Sequence, residues 1–215
     1  MKRYRFTCAG TGLLLVLFLL SAPAAQAAVV IQEVLYDGPG SDADDVFIEL
    51  FGAPGTLLDG WSLAGINGLN GDVYRTIDLS GTVIPVDGIF VIATDSASAS
   101  LAAVRDFVAN VDWQNGPDAV RLFEGEMLID ALQYGDAGMF NAGEGNYAVD
   151  VTGATSLSRD LFGTDTGDNA LDFSAVAPTP GTGPAVVPIP AAAWLFASGL
   201  GLLGMRRRLQ PVADS

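Results

Sequence analysis

Histidine is absent from the 215 residues, lysine occurs once as Lys2, and cysteine occurs once as Cys8. Each absence removes a class of chemistry. Without imidazole there is no Ser–His–Asp or Cys–His machinery. Zinc sites of His and Cys are excluded with it, and no lysine beyond position 2 remains for a Schiff base. A single cysteine leaves no disulfide within the chain, so stability must come from packing. Cations are scarce as well: 10 Lys and Arg stand against 25 Asp and Glu, a formal net charge of −15. Lys2, Arg3, Arg5 and Arg206 to Arg208 lie at the two ends. Only Arg75, Arg105, Arg121 and Arg159 are left to face nearly all the acids. Such a surplus repels nucleic acid phosphate and anionic lipid, so no nucleic-acid partner is expected.

The two ends read as processing segments. Lys2, Arg3 and Arg5 precede the apolar run Leu13 to Leu20, and Ala25-Gln26-Ala27 is a small-x-small site. This is the pattern of a secretory signal peptide over residues 1–27, with Ala25 and Ala27 marking cleavage. Cys8 precedes the apolar run, so it is not a lipoprotein anchor. Export implies passage through a secretion translocon.

At the other end, Val186 to Met205 carries no charge and Arg206-Arg207-Arg208 follows. A helix of that length is roughly 30 Å long, about one hydrocarbon thickness. Pro188 and Pro190 sit where a helix tolerates them, at or before its first turn. Trp194 suits the headgroup level, and the arginines place the C-terminal end in the cytoplasm. The expectation is a C-terminal transmembrane helix. The order Val187-Pro188-Ile189-Pro190, then Trp194-Leu195, then the arginine cluster resembles the PEP-CTERM sorting signal of Gram-negative bacteria. Ile189 stands where that family has its central Glu. The resemblance implies recognition and cleavage near the motif by an exosortase-like membrane protease. It also implies delivery from the inner membrane to the cell surface or extracellular matrix of an exopolysaccharide- or biofilm-forming bacterium.

Between the ends, Ala28 to Gly181 has a length that suits one domain. Short apolar stretches separated by Gly, Pro, Asn and Asp predict strands at Val29–Tyr36, Val46–Phe51, Trp61–Ala64, Val73–Leu79, Ile89–Thr94, Ala119–Phe123 and Met127–Tyr134. Leu101, Val104, Phe107 and Val108 recur at helical spacing and predict a helix over Ala97 to Val108. The pattern argues for an all-β protein, a β-sandwich. Trp61 reads as a core residue. Pro178 to Pro184 reads as the start of a linker. This divides the chain into the domain at 28–181, a linker at 182–187, the sorting segment at 188–208 and a cytoplasmic tail at 209–215.

Several stretches resemble the lamin-tail domain. They are Val30 to Tyr36, Asp45 to Leu50, Leu58-Asp59-Gly60-Trp61-Ser62-Leu63 and Val83 to Val91. Near the far end they are Ser156-Leu157-Ser158-Arg159, Asp168-Asn169, Asp172-Phe173 and Pro178 to Gly181. Gln32 and Gly52 depart from that family, which usually has Asn at both. The resemblance implies an immunoglobulin-like β-sandwich of the kind found in nuclear lamins and in many bacterial secreted or surface proteins.

Two acidic loops are candidate sites for a hard cation. Asp37, Asp42, Asp44 and Asp45 alternate in a Gly-containing loop, a spacing that can converge on calcium but is not an EF-hand. Asp160, Asp165, Asp168, Asn169 and Asp172 form a second set around Gly163 and Gly167. Asx residues also build turns without any ligand, so both loops admit a purely structural reading. The stretch Gly60 to Gly65 is not a nucleophile elbow, because its spacing is off by one and no histidine exists. Gly143-Glu144-Gly145-Asn146 reads either as a hairpin turn or as a loop presenting an acid. No catalytic residue and no cofactor is assigned, calcium excepted. The expected function is an exported, non-catalytic surface or matrix protein. The alternatives are a polysaccharide- or calcium-binding adhesion module and an uncleaved, single-span anchored domain.

Overall fold

The computed structural model describes residues 29–40 and 44–183. The signal peptide, Ala25 and Ala27, Asp42 and the whole of the segment Val187 to Arg208 lie outside the described residues. Among the described residues no helix is long and apolar enough to cross a membrane.

The domain is all-β, with two sheets and two short helices. Ten strands are formed: β1 (Val30–Leu35), β2 (Phe47–Phe51), β3 (Trp61–Asn67), β4 (Val73–Asp78), β5 (Ile89–Ala93), β6 (Phe107–Val108), β7 (Asp118–Glu124), β8 (Met127–Tyr134), β9 (Ser156–Ser158) and β10 (Ser174–Val176). The helices are α1 (Ala99–Val104) and α2 (Asn169–Asp172). One sheet runs β10-β9-β1-β2-β5-β6 and the other β4-β3-β7-β8. All pairings are antiparallel except β5 with β6.

The sheets pack through the alternate side chains that the sequence marks as apolar. Val34, Ile48, Leu50, Phe90 and Ile92 of the first sheet meet Trp61, Leu63, Ile77, Val120, Leu122 and Leu132 of the second in one core. Each such side chain contributes about 1.5–3 kcal/mol of burial. Tyr36 and Tyr134 stack across the core with ring centroids 4.1 Å apart. Trp61 is in this core, as expected.

A bulge between Ile31 and Glu33 shifts the parity of β1. Ile31 faces the core before it, and Val34 and Tyr36 face the core after it. Beyond the bulge, Glu33 and Leu35 turn to the opposite face. That outer face is not solvated. Leu35, Phe47, Ile89, Val91 and Ala93 cover it, with Leu101 of α1 packed on top. This is why β1, β2 and β5 are buried along nearly their whole length.

Three expectations need correction. The helix predicted over Ala97–Val108 stops at Val104, and Phe107–Val108 joins the sheet instead. Leu101 and Phe107 therefore serve different layers, Leu101 the outer face and Phe107 the core. The strand predicted at Trp61–Ala64 continues to Asn67, because β4 and β7 pair with it on both sides through Ile66. Lastly, the described part of the proline-rich stretch, 178–183, is not a free linker. It lies across the outer face and is hydrogen-bonded to Glu33 and Glu49.

Candidate functional site

The domain's strongest concentration of charge is built around Arg159. β9 pairs with β1 through Glu33↔Ser158 and Val34↔Leu157, so the next residue enters beside the bulge. The Arg159 N–H donates to the Gln32 carbonyl at 2.9 Å. Its side chain is fully buried. From there the guanidinium reaches four elements. Nη2 donates to Asp130 Oδ1 of β8 at 2.8 Å, and Nε to the Ile31 carbonyl at 3.0 Å. Nη1 donates to the Thr164 carbonyl at 2.8 Å and lies 3.0 Å from Asp172 Oδ2 and 3.6 Å from Asp165 Oδ1. The group also stands 4.4 Å over the Phe173 ring, a cation–π contact.

Ile31 closes a ring. Its N–H donates to Asp130 Oδ2 at 2.6 Å while its carbonyl receives Arg159. Both main-chain groups at the bulge are thus satisfied by side chains that are themselves paired. A buried ion pair of this kind is weak support for stability in itself, but removing one partner strands the other charge.

A second layer holds loops against β8. Asn169 is buried: Oδ1 accepts from the Gln133 and Glu144 N–H groups at 2.9 and 3.0 Å, and Nδ2 donates to the Ala131 carbonyl at 2.7 Å. Gln133 bonds the Gly143 N–H and the Gly145 carbonyl, each at 3.1 Å. These bonds carry Glu144 in beside Asp130 and Asp165. One carboxylate oxygen from each of the three lies within 4.8 Å of the others. Glu144 Oε2 is buried and has no hydrogen-bond partner.

The electrostatics follow from this crowding. Burial pushes the Glu144 carboxyl up to about 7, and Asp130 and Asp165 push the same way against the pull of Arg159. Burial also raises Asp130, opposed by Arg159 and the Ile31 N–H. Asp172 ends below the usual carboxylate range: burial works against it, but the Thr166 hydroxyl and N–H and the Arg159 guanidinium outweigh burial.

The candidates read from sequence fare differently. Asp37 Oδ2 accepts from the Gly153 N–H at 2.7 Å, and Asp45 Oδ1 from the Ser98 N–H at 2.6 Å. These two carboxylates are therefore held by different loops, and Asp44 is exposed. Of the second set, Asp160 bonds the Phe162 and Thr164 N–H groups and the Thr164 hydroxyl. Asp168 caps α2 by accepting from the Ala170 N–H. Asp165 and Asp172 are the two that join the arginine. Asp130 was passed over as one residue of a strand. Its signal lay in the pattern, because it shares the inward face of β8 with Leu132 and Tyr134, where a charge needs a partner.

Chemically the arrangement supplies carboxylate oxygens at a spacing that suits a hard cation. A guanidinium already fills the cationic place between Asp130 and Asp165. No family model, no curated protein and no solved structure matches this chain.

Proposed function

We propose that this chain is an exported, non-catalytic surface or matrix protein with an immunoglobulin-like, lamin-tail-like sandwich. On this reading a PEP-CTERM-like signal, read by an exosortase-like protease, delivers it from the inner membrane to the cell surface or extracellular matrix. One observation carries the reading. Val187-Pro188-Ile189-Pro190 and Trp194 lie in the first half of the charge-free stretch Val186 to Met205, which is of membrane length, and Arg206-Arg207-Arg208 ends it. A structural role suits the three buried polar side chains that brace the sandwich. Arg159, Asp130 and Asn169 each bond main-chain groups of other elements. Mass spectrometry of the mature protein's C-terminus from native cells tests the proposal. A terminus near Pro190 is expected. An intact Ser215 in surface protein would overturn sorting and leave a single-span anchored domain.

A calcium-dependent adhesion module binding polysaccharide is the second reading. The approach of Asp130, Glu144 and Asp165 favours it over any site in the Asp37 to Asp45 loop. It requires millimolar calcium to raise the melting temperature, chelator to reverse the rise, and Glu144→Gln to abolish it. No shift would end this reading.

A further inference from the structure

The outer face of the larger sheet holds two buried acids side by side. Glu33 of β1 and Glu49 of β2 are direct cross-strand partners, and both are buried. Pro178 to Gly183 crosses above them. Glu33 takes the first half of this strap: Oε1 accepts from the Thr179 N–H at 2.9 Å and Oε2 from the Thr179 hydroxyl at 2.6 Å. The Ser156 hydroxyl donates to the same Oε1 at 2.5 Å. Glu49 takes the second half, with Oε2 accepting from the Gly181 N–H at 2.8 Å. The Thr182 N–H closes a turn onto the Thr179 carbonyl at 2.9 Å.

The fit is close. Gly181 has φ +74° and rests on Val104 of α1. A side chain at Gly183 would collide with Ile89 and crowd Glu49 Oε1. That Oε1 is buried and has no hydrogen-bond partner among the described residues. Among the described residues no cation meets either glutamate, in contrast to Asp130. The remaining charged groups facing Glu49 are acids, Asp87 in the turn before β5 and Asp106 between α1 and β6. The strap brings no titratable residue of its own.

We propose that Pro178–Gly183 is a latch, closed over the Glu33–Glu49 pair and opened when Glu49 gives up its proton beside Glu33, so that the pair sets where the chain leading to Val187 is held. Closed, the strap pins the chain at Gly183, only a few residues from the Val187 to Pro190 motif. Open, it releases the segment back to β10 and lengthens the tether on which a membrane protease would act. This regulatory role rests on the sorting reading above; the latch itself does not.

The sign is fixed by the pair's environment. Burial pushes the Glu49 carboxyl up to about 8; the Gly181 N–H pulls it down, and Glu33, Asp87 and Asp106 push it further up. The closed strap therefore favours the protonated acid, and closure weakens as pH rises toward that value.

Hydrogen exchange of the full chain in detergent micelles, read by mass spectrometry and corrected for intrinsic rates, tests this. Protection of the strap should fall by up to about tenfold per pH unit as pH rises from 4.5 toward about 8 and should level off above that value. Peptides from β3 and β7 should keep their protection. Glu49→Gln, which removes the charge, should keep the strap protected throughout. If that variant does not fold, Glu33→Gln replaces it; it removes a charge that pushes Glu49 up and should move the loss to lower pH. Strap protection that is independent of pH, or that falls in step with the core, overturns the latch. Sorting is not read by this experiment. A pH-blind strap with a terminus near Pro190 sinks only the latch, and a responsive strap with Ser215 intact sinks only the sorting.

Discussion

Two groups of buried acid sit on opposite sides of the same sheet and are handled in opposite ways. On the core side, Asp130 and Asp172 are met by the buried guanidinium of Arg159. On the outer side, among the described residues, Glu33 and Glu49 are met only by hydroxyl and N–H donors of the strap and of Ser156. A domain with four arginines among so many acids has few cations to bury. The one fully buried guanidinium ties the two sheets to the loops that close them. Where no cation is supplied, a carboxyl is left to hold its proton. The first arrangement ties several elements through one ion pair, and the second makes one segment sensitive to pH.

The largest expected effect comes from breaking the core side. Arg159→Met leaves Asp130 as an uncompensated buried charge and should cost about 3–5 kcal/mol, read as a loss of thermal stability in the full chain. A double change with Asp130→Leu should recover much of that loss, because it removes the stranded charge.

Next in size is the pH dependence of the outer side. Glu49 ordinarily titrates at 4.5 and in the fold at about 8. Stability from the protonated acid is fully present below 4.5 and is lost as pH rises toward 8. The total loss should be on the order of a few kcal/mol, limited by opening of the strap. Glu144, raised from 4.5 to about 7, adds a loss of the same sign over a narrower window. Melting curves across pH should show Glu49→Gln removing the part of the decline that extends above 7, and Glu144→Gln removing only the lower part.

A smaller change sharpens the role of the loops around Arg159. Asp168→Ala removes the cap of α2 and should cost about 1 kcal/mol in thermal stability. Smallest of all, Phe162→Ser, at a side chain 83% exposed, should stay within about 0.5 kcal/mol, since it touches neither acid group.

Much of this fold could be read from the chain. The long strands β1, β2, β4, β5, β7 and β8 follow apolar stretches whose ends differ from the expectation by at most one residue. The short elements could not be found by periodicity. β9, β10 and α2 are three or four residues each, and tertiary pairing makes them. Ser156 to Arg159 carries a family resemblance, which says nothing of what Arg159 reaches. Glu33 and Glu49 look like the outward, polar positions of half-buried strands. They do face outward, but a segment more than a hundred residues later covers them. Such a contact leaves no local mark in either strand. The same non-locality explains why the acidic loops drew attention while Asp130, a lone acid on an apolar face, did not.

The contrast between a charge answered by arginine and a charge answered by a proton can be measured at one atom. Carbon-13 NMR of the side-chain carboxyls, with Glu49 assigned by its loss in Glu49→Gln, gives its titration midpoint in the full chain. The account predicts a midpoint near 8. A midpoint at the ordinary 4.5 would contradict it.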